Sequence, residues 1–258
     1  MILSQGVKMQ VKILGNQAPF QLDGKKGVGY LVKTQNCNIM LDAGSGSHSN
    51  LQVSDYENLN VIISHGHFDH VVDIKNIVLA VFTLRINKVI EPKVSIYLPY
   101  EFENELEETM MRGKKVTDTV EIFRYNADSK LKFGETEICF LKTTHSIDSY
   151  AIKISGSGST LGYTGDVGVD DVDMCAEFFH KVDVILADCS IPQNHPTLLK
   201  KHLRPHDCAR LKDLSKAKSI YLTHLYAMEY EESYLNSCKE KTDNCFIAHE
   251  GLVFNIDK

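Results

Sequence analysis

At 258 residues with 43% apolar and 24% charged side chains, the chain can bury a sizeable core, which excludes disorder and fibrous classes. A net charge of -6 gives no electrostatic footprint for sequence-independent nucleic-acid binding, and the densest local basic patch, RGKK (112–115), reads more simply as a solvated loop. No apolar run approaches the ~18 residues of a membrane span, the opening MILSQGVKMQVKILG lacks an export-type apolar region, and seven cysteines without a CxxC pair fit free thiols, so a cytoplasmic protein without membrane contact is expected.

In chain order, MQVKILG (9–15), GVGYLVK (27–33) and CNIMLD (37–42) alternate or cluster apolar residues between Gly and Asn breaks and read as strands. NVIIS (60–64) is a short apolar run that leads into SHGHFDH (64–70), the pattern of a buried strand with functional residues just past its carboxyl end. Apolar residues at helical spacing predict a core helix over 71–86, and EFENELEETMMR (101–112) reads as a polar surface helix inside an insertion. TEICFLKTTH (136–145) and SYAIKIS (149–155) return to strands, with SGSGS (155–159) as a tight connection rather than a domain linker. The second half alternates: TLGYTGD (160–166), helical DDVDMCAEFFHK (170–181), the strand VDVILADCS (182–190), a helix in PHDCARLKDLSKA (205–217), the strand SIYLTH (219–224) and a closing NCFIAHEGLVFNI (244–256). An apolar strand ends in histidine twice, at His65 and His224, so two such loops could meet if the halves pack as similar units. No linker or low-complexity segment divides residues 1–258, and a single domain is expected.

Residues two apart in an extended segment project to one side, so His65 and His67 can grip one ion together, while Asp69 and His70, where the chain turns into the helix, can face a second. A lone histidine is usually structural, but this density of ligand types favours a metal site; imidazole and carboxylate together suit zinc, with manganese or iron as alternatives. Further candidates stand at similar places: His145 ends CFLKTTH, Asp166 ends GYTGD and His224 ends SIYLTH. Each alone reads as a loop residue or helix cap; the set points to two divalent ions.

These residues resemble the metallo-β-lactamase superfamily, whose HxHxDH signature appears as HGHFDH (65–70), followed in the family's order by His145, TGD (164–166) and LTH (222–224), and preceded by LDAG (41–44). The resemblance implies an α/β fold, the four-layer αβ/βα metallo-β-lactamase sandwich. It also implies that His65, His67 and His145 hold one metal, that Asp69, His70 and His224 hold the other, that Asp166 bridges them, and that Asp42 orients a ligand. The expected reaction is hydrolysis: two adjacent cations bring the pKa of a bound water from 15.7 towards roughly 7, making it hydroxide, and Asp69 can accept a proton from it.

KHLRPHDCARL (201–211) is similar to the HL-x-P element of the ribonuclease Z-like and small phosphodiesterase branch, which implies that His202 contacts the scissile phosphate and protonates the leaving oxygen. His206 is its neighbouring competitor; His48, His180, His195 and His249 read as structural or exposed, with His48 the nearest to lining the pocket. No Gly-rich basic RNA-gripping arm is present, which favours a small phosphodiester, a cyclic nucleotide or an RNA end as substrate. The segment at about 85–118 is expected to form a cap or a dimer surface, since homodimers are common in the family. The alternatives are a thioester or lactone hydrolase of the same superfamily, and a metal-binding protein without turnover.

Overall fold

Tyr30 and Val32 face one side of their strand and Leu31 the other, and all three are buried, so this strand needs a packed layer above and below it. The structure is a computed structural model that describes residues 9–91, 93–102, 119–197 and 200–256. It satisfies that need with two seven-stranded sheets packed face to face and helices on both outer faces.

The first sheet runs in the order β16 (Val253–Asn255), β1 (Gln10–Gly15), β3 (Gly29–Lys33), β4 (Asn38–Leu41), β5 (Leu59–Ile62), β6 (Val94–Pro99), β7 (Val120–Tyr125). The second runs β15 (Cys245–Ile247), β13 (Ser219–Thr223), β12 (Val184–Asp188), β11 (Ser159–Tyr163), β10 (Ser149–Gly156), β9 (Thr136–Thr143), β8 (Lys130–Phe133). Two short strands, β2 (Gln17–Ala18) and β14 (Leu225–Tyr226), pair in parallel beside them.

Ile13, Tyr30, Ile152 and Leu186 belong to the core between the sheets. The expected helix over 71–86 is split into one turn, α1 (Phe68–Val71), and a longer α2 (Ile74–Ile86), whose Ile77 and Val81 pack with Met40 and Val61 on the outer face of the first sheet. On the second sheet, α3 (Val172–Phe178), α4 (Pro205–Ser215) and α5 (Glu231–Lys239) bury Cys175, Cys208 and Tyr234 with Ile185 and Ile220. Pro205 sits at the start of α4, where the missing N–H costs no helical bond. The SGSGS segment is a tight hairpin: Gly156 pairs with Ser159 across Ser157 and Gly158, both at positive φ.

Several features differ from the sequence reading. Val94–Pro99, inside the span expected as a cap, is a strand of the first sheet, paired in parallel with both β5 and β7. The strands β7 and β8 and the helix α5 were not foreseen. The surface helix expected at 101–112 falls almost wholly, and the RGKK patch wholly, outside the described residues. Among the described residues, no helix is long and apolar enough to cross a membrane, and all seven cysteines are free thiols.

Hydrogen bonds tie the two sheets together at the ends of β4, β5 and β13. Tyr30 Oη on the first sheet shares a 2.7 Å hydrogen bond with Thr223 Oγ1 on the second, the Tyr163 hydroxyl of β11 donates to Asp42, and Tyr150 N donates to Ser64 O. The histidine loops open at these same strand ends.

Candidate metal centre

Strand ends bring the candidate ligands together. The chain leaves β5 through Ser64 into His65, β9 ends before His145, β11 before Asp166 and β13 before His224, all at the edge where the sheets are tied. His67 caps α1, and His70 lies within it. Gly44 of LDAG makes the close approach possible: a Cβ there would lie 2.4 Å from Asp69 O and 2.7 Å from Val28 N, so only glycine fits between them.

Two sets of side chains form. In the first, His67 Nδ1 lies 3.0 Å from His65 Nε2 and 3.2 Å from His145 Nε2. In the second, His70 Nε2 lies 3.0 Å from His224 Nε2, and Asp69 Oδ2 lies 3.8 and 3.4 Å from those two nitrogens. Asp166 stands between the sets. Its Oδ2 is 3.6 Å from His65 Nε2 and 3.5 Å from His145 Nε2, while its Oδ1 is 3.3 Å from His70 Nε2 and 3.1 Å from His224 Nε2. All seven candidate ligands therefore gather at one place, and a further group of possible ligands, Asp166, Asp188, His202 and His224, adjoins them.

The donor chemistry fits divalent cations. Within each set the ligand atoms lie within 4.8 Å of one another. Asp166 Oδ1 is buried yet accepts no hydrogen bond, an arrangement that costs free energy unless something positive meets it. The outward nitrogens of four histidines are each fixed by an oxygen: His145 Nδ1 by Lys201 O at 3.0 Å, His67 Nε2 by Ser146 Oγ at 3.1 Å, His65 Nδ1 by Ser64 Oγ at 3.0 Å and His70 Nδ1 by Asp42 Oδ2 at 2.7 Å. In a neutral ring such a partner sets the tautomer and leaves the inward nitrogen as a lone pair.

Electrostatics divide the sets. Burial pushes His65, His67 and His145 below the ordinary histidine range, leaving neutral imidazoles. For His70 burial works the same way, but Asp166 and Asp42 overcome it and hold the ring well above that range. The second set thus demands positive charge, which a cation can supply. Burial raises the carboxyls of Asp166 and Asp69, but histidines around each outweigh it, so both are held as carboxylates.

Asp42 performs more than the orienting role expected of it. It is fully buried, in left-handed backbone, and its carboxylate accepts bonds from Ser64 N at 2.7 Å, Ser64 Oγ at 2.7 Å, His70 Nδ1 and the Tyr163 hydroxyl.

His202 stands beside the centre. Its Nδ1 lies 3.0 Å from Asp188 Oδ2 and 3.8 Å from Asp166 Oδ2, and its ring stacks on that of His224 at 5.3 Å. Burial disfavours its charge, but the Asp188 carboxylate beside it, with Asp166, outweighs burial and lifts it to about 9. Asp188 escaped the sequence reading. It ends the strand β12 within VDVILADCS, much as Asp166 follows β11 in GYTGD, a signal that was available, and its Oδ1 also lies 3.5 Å from His224 Nδ1.

The remaining histidines separate. His48 does not join the centre: Asp73 binds its Nδ1 at 2.7 Å. His206 lies in the first turn of α4 and faces Glu240 at 3.3 Å, and His249 faces Glu231 at 2.6 Å. His195, read as structural or exposed, lines a cavity next to His202.

Comparison with known proteins adds a family match. The sequence model of the anti-Pycsar protein Apyc1 family matches residues 9–254. The probable metallo-hydrolase YhfI of Bacillus subtilis (strain 168) is 26% identical over 219 residues, 84% of this chain and 87% of that protein. The crystal structure of YhfI, a metallo-β-lactamase fold protein, superposes with a TM-score of 0.86 at 22% identity, over 96% of this chain and 99% of that one. A diphosphatase from the PhnP family gives 0.74 at 16% identity, over 97% and 98%. Human tRNase Z, short form, gives 0.71 at 16% identity, over 97% and 100%. These likenesses show the metallo-β-lactamase fold, with tRNase Z among its neighbours.

Proposed function

This chain belongs to the family of the anti-Pycsar protein Apyc1, and from that premise we propose that it is a metal-dependent phosphodiesterase acting on a small phosphodiester, with cyclic nucleotides and RNA ends as the leading candidates. Its relatives include a protein named as a probable metallo-hydrolase and a diphosphatase, which supports hydrolysis as the reaction class. Five imidazoles and two carboxylates favour two zinc ions, with manganese or iron as alternatives. When bound, such ions supply a reactive water at neutral pH and offset negative charge on the phosphoryl oxygens.

One observation carries the phosphodiester reading: the Asp188 carboxylate holds His202 Nδ1 at 3.0 Å beside the centre, an arrangement that favours a protonated ring. An alkoxide leaves phosphorus poorly without a proton, whereas the thiolate of a thioester needs none. With Nδ1 engaged by Asp188, the proton passes from His202 Nε2 to the leaving oxygen. Asp69, ionised and the most exposed of the seven candidate ligands apart from His67, is placed to take a proton from the attacking water at Oδ2. Free thiols throughout support a reducing, cytoplasmic setting for this activity.

The test is turnover of bis(p-nitrophenyl) phosphate against a thioester and a lactone, using zinc- and manganese-loaded protein with Asp166→Ala as control. Metal-dependent diester hydrolysis lost in the variant is the expected result. Activity confined to the thioester or lactone would overturn the reading.

A further inference from the structure

The face that a strand turns towards a partner sheet is ordinarily apolar, and Ile62 of β5 and Tyr97 of β6 follow that rule in the core between the sheets. Two residues earlier on that face, Asn60 and Ser95 stand side by side in the parallel ladder and break it. They border a cavity of about 430 Å³ at the beginnings of these strands, whereas the candidate metal ligands lie beyond the strand ends. Leu59, Tyr97 and Phe133 give it an apolar wall, and Asn36, Asn58 and Lys93 stand exposed around it. The volume falls within the roughly 300–1,000 Å³ of small-molecule sites.

The walls are set before anything binds. Asn60 Nδ2 donates to the carbonyls of Asn58 at 3.0 Å and Asn38 at 3.4 Å, which fixes the amide and leaves its Oδ1 as an acceptor with no donor among the described residues. Asn36 bridges the two sheets: its Oδ1 accepts from Glu135 N at 3.2 Å, and a Cβ on Gly134 would lie 2.6 Å from its Nδ2, so the amide fits only because that position is glycine. Tyr97 stacks on Phe123 at 5.1 Å and meets Phe133 edge to face at 6.0 Å. Groups already held in this way lose little freedom when a ligand arrives.

Charge and ring geometry narrow the ligand. Lys93, the cation among the lining residues, stands 3.4 Å from the Glu121 carboxylate, so an anionic ligand would have to displace that ion pair. Tyr97 and Phe133 meet at 74° and form a corner, not a slot for a flat base. The polar lining is mixed: Asn60 Oδ1 accepts, Asn36 Nδ2 donates, and the Asn58 amide and the Ser95 hydroxyl do either. A hydroxyl group is the partner that satisfies both kinds. We therefore propose that this cavity is a second ligand site, which binds a neutral saccharide with a C–H face of the sugar ring against the Tyr97–Phe133 corner and its hydroxyls on the three asparagines. It is separate from the metal centre and does not depend on the reaction there.

Heteronuclear NMR of the full chain, titrated with glucose, N-acetylglucosamine and maltose and, in separate arms, with uridine and inorganic phosphate, tests the assignment. The sugars should produce saturable shifts in the side-chain amides of Asn36, Asn58 and Asn60, and uridine and phosphate should leave those amides in place. Asn58→Gly keeps the left-handed backbone of that position while removing its amide, and Phe133→Leu keeps an apolar wall while removing the flat face; each should weaken sugar binding about fivefold. Both variants should hydrolyse bis(p-nitrophenyl) phosphate at the wild-type rate, because neither residue touches the metal centre. No shift of these amides with any of the three sugars, shifts with uridine or phosphate in their place, or unchanged sugar affinity in both variants would overturn the proposal; the wild-type titrations stand even if a variant does not fold.

Discussion

Asp42 Oδ2 holds His70 Nδ1 at 2.7 Å, and through the Ser64 hydroxyl the same carboxylate reaches His65, so one buried side chain orients a histidine in each ligand set. Replacing it by asparagine keeps its shape but turns a donor towards groups that are themselves donors. Asp42→Asn should lower metal affinity roughly 10- to 100-fold. Zinc retention measured by elemental analysis against a competing chelator checks this, and unchanged retention would contradict the arrangement.

Among the described residues, Asp166 is the one side chain with an oxygen towards each set. Asp166→Ala should therefore reduce metal content at both positions rather than one, and lower diester hydrolysis by about 100-fold or more. Metal stoichiometry decides the point: loss of a single equivalent would mean that the carboxylate serves one set only.

His202 makes a prediction about leaving groups. His202→Ala should slow hydrolysis of alkyl phosphodiesters by ~10²–10⁴-fold and that of nitrophenyl esters far less, because nitrophenolate departs without a proton. Equal losses on both substrates would remove its role as acid.

The pH profile should expose Asp188. A proton donor works below its pKa, and His202 stands at about 9, so activity should fall as pH rises through its pKa. Cations bound nearby lower that limb in wild type and variant alike. Asp188→Asn removes the anion that raises the pKa, so the alkaline limb of kcat/KM should move to lower pH, towards the ordinary histidine value of ~6.5. A limb that stays in place would assign it to another group.

Removing metal should leave the chain folded but less stable, because its three apolar clusters do not depend on the ligands. Ions present at 100 times their dissociation constant stabilise by about 2.7 kcal/mol. Thermal melts with and without chelator read this directly; unfolding at room temperature on chelation would show that the ions are structural.

Much of the centre was legible because its residues follow apolar strands, and strand ends are visible in sequence. Asp188 was missed although it ends an apolar strand in much the same way, because Cys189 and Ser190 carry the run past it, and its partner His202 comes from the loop before α4. Val94–Pro99 was assigned to an insertion because VSIYLP is short and lies between polar stretches; parallel pairing to β5 and β7, which no local pattern reports, makes it a strand. His195 illustrates the limit differently. It lines its cavity from a loop whose four carbonyls are gathered by Arg204, and nothing local to His195 announces that.

The ties from Tyr30 to Thr223, Tyr163 to Asp42 and Tyr150 to Ser64 all cross between the sheets at the edge that carries the histidines. At the opposite margin Thr136 Oγ1 donates to Thr34 Oγ1 at 3.0 Å, so the sandwich is fastened at both ends of its strands. Amide exchange should therefore be slow around Ser64 and Tyr150, and the reacting groups keep their spacing on a frame that does not hinge open beneath them.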